Sequence, residues 1–211
     1  MPAPSQKFPP HLLIIILHMV GAVGTLVPLT SDLVISLTPV NLLISTGILL
    51  TRHPGTLRSL LPPLLFCVVT GFGVEVLGVH TGFPFGTYTY GEVLGWKLLD
   101  VPLVIGINWF LLIYAFFSVG SFLKKPGFRI LFTALAMLLM DLLIEPVAIH
   151  LGYWAWPGGN IPLQNYLSWF VISAVMALVM HTYQPKLSNP VSVTLILSQI
   201  LYFSAIFFVK I

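Results

Sequence analysis

The feature that most constrains this chain is a succession of apolar stretches, each near the ~20 residues that a helix needs to cross a bilayer. They run over 11–30, 33–51, 57–80, 102–122, 128–150, 163–183 and 190–210. Only 7% of the 211 residues are charged, against about 25% in soluble domains, so too little polar surface exists to face water. The expected fold is all-α: a polytopic membrane protein of about seven transmembrane helices, forming a single integral membrane domain over residues 1–211. The second stretch is the weakest, because Pro39 and Asn41 interrupt it. The first has a single Lys7 before it and flows into the second, which favours a retained helix over a cleaved signal.

Basic residues set the expected orientation. With seven spans, the amino terminus shares a side with the connections that hold Arg52, Arg58, Lys124, Lys125, Arg129 and Lys186, and Lys7 adds to them. The opposite side holds Lys97 and Lys210. The positive-inside rule then puts the amino terminus in the cytoplasm and the carboxyl terminus outside the cell membrane. The net charge of +3 reads as this loop charge, not as a nucleic-acid footprint. The lone Cys67 excludes a disulfide framework or a cysteine metal site.

Two segments align without gaps. "EVLGVHTGFPFG" begins at Glu75 and "EPVAIHLGYWAW" at Glu145; downstream, "VPLVIGINWF" (101–110) matches "IPLQNYLSWF" (161–170). Spans 3–4 and 5–6 therefore read as a parallel internal repeat about an axis along the membrane normal. Glu75 and Glu145 then sit at matching depths and face a shared centre. Asp141 has no counterpart, because its matching position is Gly71.

Carboxyl groups in a span cost about 2.5–3.5 kcal/mol on insertion scales, so Glu75, Asp141 and Glu145 are expected to face the bundle interior. Asp141 and Glu145 lie one helical turn apart, where like charges repel. The pair is expected to hold at least one proton and to titrate as a unit. Pro146 is expected to bias Glu145 away from helical geometry and to make room for a water. The alternative is that these acids serve only as interhelical hydrogen-bond glue, to Asn108 or Asn165. His80 and His150 each follow a Glu by five residues, about 140° around a helix, so Glu and His do not converge. No His-x-x-x-His pattern occurs, which argues against a metal site. No metal and no other cofactor is expected. The Gly/Pro/aromatic segments 82–96 and 152–162 read either as an interfacial belt or as lids over a site. Within and near them, Phe85, Tyr88, Trp109, Trp154, Trp156, Asn165 and Trp169 are candidate substrate-binding residues.

The run "GFPFGTYTYGEVLG", "VPLVIGINWF", "DLLIEPVAIHLGYWAWPGGNIPLQNYLSWF" resembles the carotenoid biosynthesis family that includes CruF-type carotenoid hydratases and the bisanhydrobacterioruberin hydratases of haloarchaea. The likeness covers roughly residues 70–175. It implies hydration of the terminal 1,2 double bond of an acyclic ψ end group, as in γ-carotene or lycopene. By motif position it carries over Glu75, Asp141, Glu145, Trp154, Trp156, Asn165 and Trp169, in a catalytic core of about 57–183. Protonating a trisubstituted alkene needs a desolvated acid, and capturing the tertiary cation needs a base that directs water. Asp141 is the expected proton donor, with Glu145 or Glu75 holding the water. The expected partners are a carotenoid substrate and membrane lipid, and no nucleic acid. Rival readings are a membrane lycopene-type cyclase, which shares the protonation step, and a transporter of a small lipophilic substrate. A retinal photoreceptor is disfavoured, since Lys210 is the only lysine in the last span.

Overall fold

The structure is a computed structural model and describes residues 9–211; Lys7 lies outside them. Eight helices and two pairs of very short strands follow the chain: α1 (Pro10–Leu26), α2 (Ser31–Ser36), α3 (Thr38–Leu50), α4 (Leu57–Thr81), β1 (Thr89–Tyr90), β2 (Lys97–Leu98), β3 (Val101–Pro102), α5 (Val104–Val119), α6 (Pro126–His150), β4 (Trp154–Ala155), α7 (Leu163–Tyr183) and α8 (Pro190–Lys210). The protein is an all-α polytopic membrane protein. Among the described residues, five helices are long and apolar enough to cross a bilayer, namely α4, α5 with the 3₁₀ turn that extends it to Phe122, α6, α7 and α8. The helix α1, at 17 residues, would extend ~26 Å, slightly under the ~30 Å of hydrocarbon.

The expected second span, 33–51, is corrected by the structure. It forms two helices, α2 and α3, that break at Leu37. Pro39 at the start of α3 cannot donate to a preceding turn, so the chain restarts there. The expected disturbance at Pro146 is absent: α6 runs unbroken through it, with Glu145 inside the helix. Neighbouring helices hold α6 along its length, which is how spans tolerate an internal proline.

Helix ends follow local chemistry. Pro10, Pro126 and Pro190 open α1, α6 and α8, where no amide hydrogen is missed. Thr56 and Asn189 cap α4 and α8 by accepting from Ser59 N and Val191 N. Gly82 ends α4 with φ 73°, the left-handed stop that glycine adopts without a Cβ penalty.

The centre of the bundle is α5. Its residues from Trp109 to Ser118 are all buried, and it packs against α3, α4, α6, α7 and α8. The repeat is visible in the packing: α4 pairs with α5 and α6 with α7, while α4 also meets α7 and α5 meets α6. The basic end is tied together by polar contacts. Arg129 donates to the carbonyls of Phe117, Pro185 and Leu187, and Asn189 Nδ2 donates to Leu49 O at 2.8 Å. The acids lie toward the other end.

Candidate active site

Glu75 on α4 and Glu145 on α6 each collect three hydrogen-bond donors. Glu75 accepts from Tyr88 Oη at 2.5 Å, Tyr90 Oη at 2.7 Å and Trp109 Nε1 at 3.0 Å. Glu145 accepts from Trp154 Nε1 at 2.9 Å, Trp156 Nε1 at 3.0 Å and Asn165 Nδ2 at 3.2 Å. Both acids are buried. Burial, reinforced by the Glu75 carboxyl beside them, pushes the Tyr88 and Tyr90 hydroxyls up, so both stay donors. Trp109 and Trp169, which occupy the same position in the two repeats, stack with ring centroids 4.2 Å apart and planes 23° apart. That stack brings the two halves together.

The departure from symmetry is itself a hydrogen bond. Asn165 Nδ2 donates to Asp141 Oδ2 at 3.0 Å as well as to Glu145. In the other repeat the same two positions are Gly71 and Ile105. A Cβ built on Gly71 would stand 2.6 Å from Trp109 Cβ, so that half has no room for an acid. Asp141 is fully buried, and its Oδ1 has no hydrogen-bond partner among the described residues.

Glu75 and Glu145 share a cavity of about 20 Å³, whose wall is completed by Asn165, Phe85, Trp169 and the Tyr88, Tyr90, Trp154 and Trp156 rings. A water needs about 10–15 Å³, so one water fits and a polyene tip does not. Two of the expected residues stand behind this wall. Trp109 holds Glu75 from the side and is 1% exposed, and Asp141 reaches the cavity only through Asn165 and Glu145. Tyr90 was not among the expected residues. Its signal was present in "TYTY", because alternate residues of an extended segment share a face and Tyr88 and Tyr90 both reach Glu75.

The aromatic segments close the site as a clasp. The strands β1 and β4 pair antiparallel, Thr89 opposite Ala155 and Tyr90 opposite Trp154, and Gly91 N donates to Tyr153 O at 2.9 Å. The loop after α4 is strapped to α7 by Gln164 Nε2 to Gly82 O at 2.9 Å and Ser168 Oγ to Pro84 O at 2.7 Å. His80 stays outside, 3.3 Å from the Leu99 carbonyl.

A family model described as "Carotenoid biosynthesis protein" matches residues 32–211. The chain belongs to that family. A bisanhydrobacterioruberin hydratase of Haloarcula japonica is 33% identical over 125 residues, a region covering 55% of this chain and 43% of that protein. The chain thus spans less than half of that relative's length. No solved structure matches.

Proposed function

We propose that this protein is a carotenoid hydratase, which adds water across the terminal 1,2 double bond of an acyclic ψ end group such as those of γ-carotene or lycopene. The observation that carries the reading is a one-water cavity set between two buried carboxyl groups, with a third buried carboxyl behind it and aromatic rings around it. Membership of a carotenoid biosynthesis family and the hydratase named among its relatives support the substrate class. Residues 57–183 form the catalytic core of a single membrane domain in the cell membrane, with the amino terminus cytoplasmic.

The proton starts on Asp141, whose Oδ1 has no hydrogen-bond partner among the described residues, while Glu145 already accepts from three N–H groups. Entry of the polyene tip opens the clasp. The proton leaves Asp141 by way of Glu145, which lies on the cavity wall, and adds to C2 of the alkene, leaving a tertiary cation at C1. The carboxylates and the faces of Trp154, Trp156 and Trp169 stabilise that cation. The enclosed water bonds to C1 and gives its proton to Glu75, from which it returns to Asp141. The reaction changes no oxidation state overall, and every proton is accounted for.

The test is pigment extracted from cells that make lycopene or γ-carotene together with this protein. Each reacted end gains the mass of one water. An isomer of unchanged mass would make the protein a cyclase instead, and unaltered pigment would refute both.

A further inference from the structure

A second cavity lies on the other side of the clasp. Its volume is about 320 Å³, within the ~300–1,000 Å³ typical of small-molecule sites. The helices α1, α2, α3 and α8 bound it, and Tyr153 closes one wall. Neighbouring residues of the clasp therefore serve different cavities. Tyr153 Oη is 2.8 Å from Thr38 Oγ1 on this side, while the Trp154 indole donates to Glu145 on the other.

The mouth of this cavity is apolar, with Val20, Val40 and Ile44 on its rim 62%, 47% and 43% exposed, among surfaces that meet lipid. Its depth offers acceptors. Gln199 is 5% exposed, and its Oε1 has no hydrogen-bond partner among the described residues. His18 is equally buried, and its Nδ1 lies 2.8 Å from the Ile14 carbonyl. A carbonyl only accepts, so Nδ1 carries the hydrogen and Nε2 is left as an acceptor. A buried acceptor without a donor, as Gln199 Oε1 is among the described residues, is costly, and native structures rarely keep one without a reason. The missing component is an O–H donor on an otherwise apolar molecule that enters from the bilayer. A phospholipid acyl chain carries no such donor.

We propose that this cavity binds the hydroxylated end group of an isoprenoid chain, with the tertiary alcohol donating to Gln199 and the methyl-branched chain running out to lipid past Val20 and Ile44. The alcohol is the product of the acid site, so the identity of the ligand rests on the reading given above. The cavity holds the finished end beside the clasp while the acid site is vacated.

The experiment uses the full chain, purified from cells that accumulate both the hydroxylated carotenoid and its unhydrated parent, with the retained pigment and lipid identified by mass spectrometry. The wild type is expected to retain the alcohol roughly tenfold over the parent, the difference of about one hydrogen bond. Gln199→Leu removes the acceptor and should erase that preference. Gly21→Leu should abolish the extra retention of the alcohol, because a Cβ there meets nothing nearer than Tyr202 Cε2 at 3.5 Å and the rest of the side chain fills the cavity. Should Gln199→Leu fail to fold, Gly21→Leu decides. Unchanged retention in the variants, or phospholipid in place of pigment, overturns the proposal. If supplied alcohol is held in a Gln199-dependent way but no ψ end is ever hydrated, the acid-site reading fails and this one stands. Hydration with retention indifferent to both variants overturns the second cavity's role and leaves the acid-site reading standing.

Discussion

Replacing Asp141 by Asn separates the acid's chemistry from its place in the fold. Asp141 accepts one hydrogen bond, from Asn165 to Oδ2, and its Oδ1 bonds to nothing among the described residues. An asparagine at 141 keeps its oxygen toward Asn165 and turns its amide nitrogen to the side that already had no partner. One unpaired polar atom replaces another, so the change in stability is expected to stay under about 1 kcal/mol. Glu145→Gln is not silent in the same way. Donors cover both of its oxygens, two indoles on one and Asn165 on the other. A glutamine amide nitrogen must therefore face a donor whichever way it turns, at a cost of about 1–3 kcal/mol. For turnover the expectation is different. A positioned acid contributes typically 10²–10⁴-fold, and an amide has no proton to give, so Asp141→Asn should lose about that much. The assays are thermal unfolding of the purified variants in one detergent and the initial rate of water addition to a ψ-end carotenoid in membranes. Asp141→Asn retaining more than a tenth of the wild-type rate would place the proton elsewhere. A larger loss of stability for Asp141→Asn than for Glu145→Gln would refute the hydrogen-bond reasoning itself.

On the proposed mechanism the clasp must open for a polyene tip to enter. Cysteines at Thr89 and Ala155, opposite one another in the β1–β4 register, sit within the ~4.4–6.8 Å that a disulfide spans. Oxidation should stop turnover and reductant should restore it, whereas full activity of the crosslinked protein would show that the substrate enters elsewhere. Gly71→Ala drives a methyl to 2.6 Å from Trp109 Cβ; overpacking of this kind costs about 1–3 kcal/mol, and the melting temperature should fall together with the hydration rate. Arg129→Met strands three carbonyl acceptors at the basic end and removes a guanidinium that lies 3.7 Å over the Phe117 ring. A loss of about 1–3 kcal/mol for each carbonyl left without a donor is expected, read as a lower melting temperature with the surviving folded protein turning over normally.

Much of this was legible in the order of residues. The apolar runs and their Pro and Gly punctuation give the five long helices directly; the first expected span forms a shorter helix, α1, and the second is divided beside Pro39. The repeated Glu-x4-His-x-Gly pattern identifies Glu75 and Glu145 as equivalent from the sequence alone. The donors around them were harder to assign. Trp154 and Trp156 fall in segments where an interfacial belt alone would account for them, and only the fold turns their N–H groups onto Glu145. Trp109 is a candidate substrate-binding residue in sequence, yet it braces Glu75 and stacks on Trp169 behind the cavity wall. The second cavity left no trace, since His18, Thr38, Tyr153 and Gln199 come from separate stretches that are unremarkable alone.

On the proposed mechanism, the internal repeat explains why the site needs two kinds of acid. A repeat supplies Glu75 and Glu145 alike, each already accepting from three donors, which suits them to relaying a proton, stabilising a cation and holding water rather than to storing the initial proton. A proton donor needs an oxygen that donors have not claimed. Only one half of the scaffold has room for it, because Trp109 occupies the space beside Gly71 while Asp141 in the other half meets Asn165, where its partner repeat has Ile105. Restoring symmetry tests this: Asp141→Gly with Asn165→Ile gives both halves the same residues at these positions. It should leave a folded bundle with its two glutamates in place and no hydration, and turnover by that variant would mean that the symmetric pair alone supplies the proton.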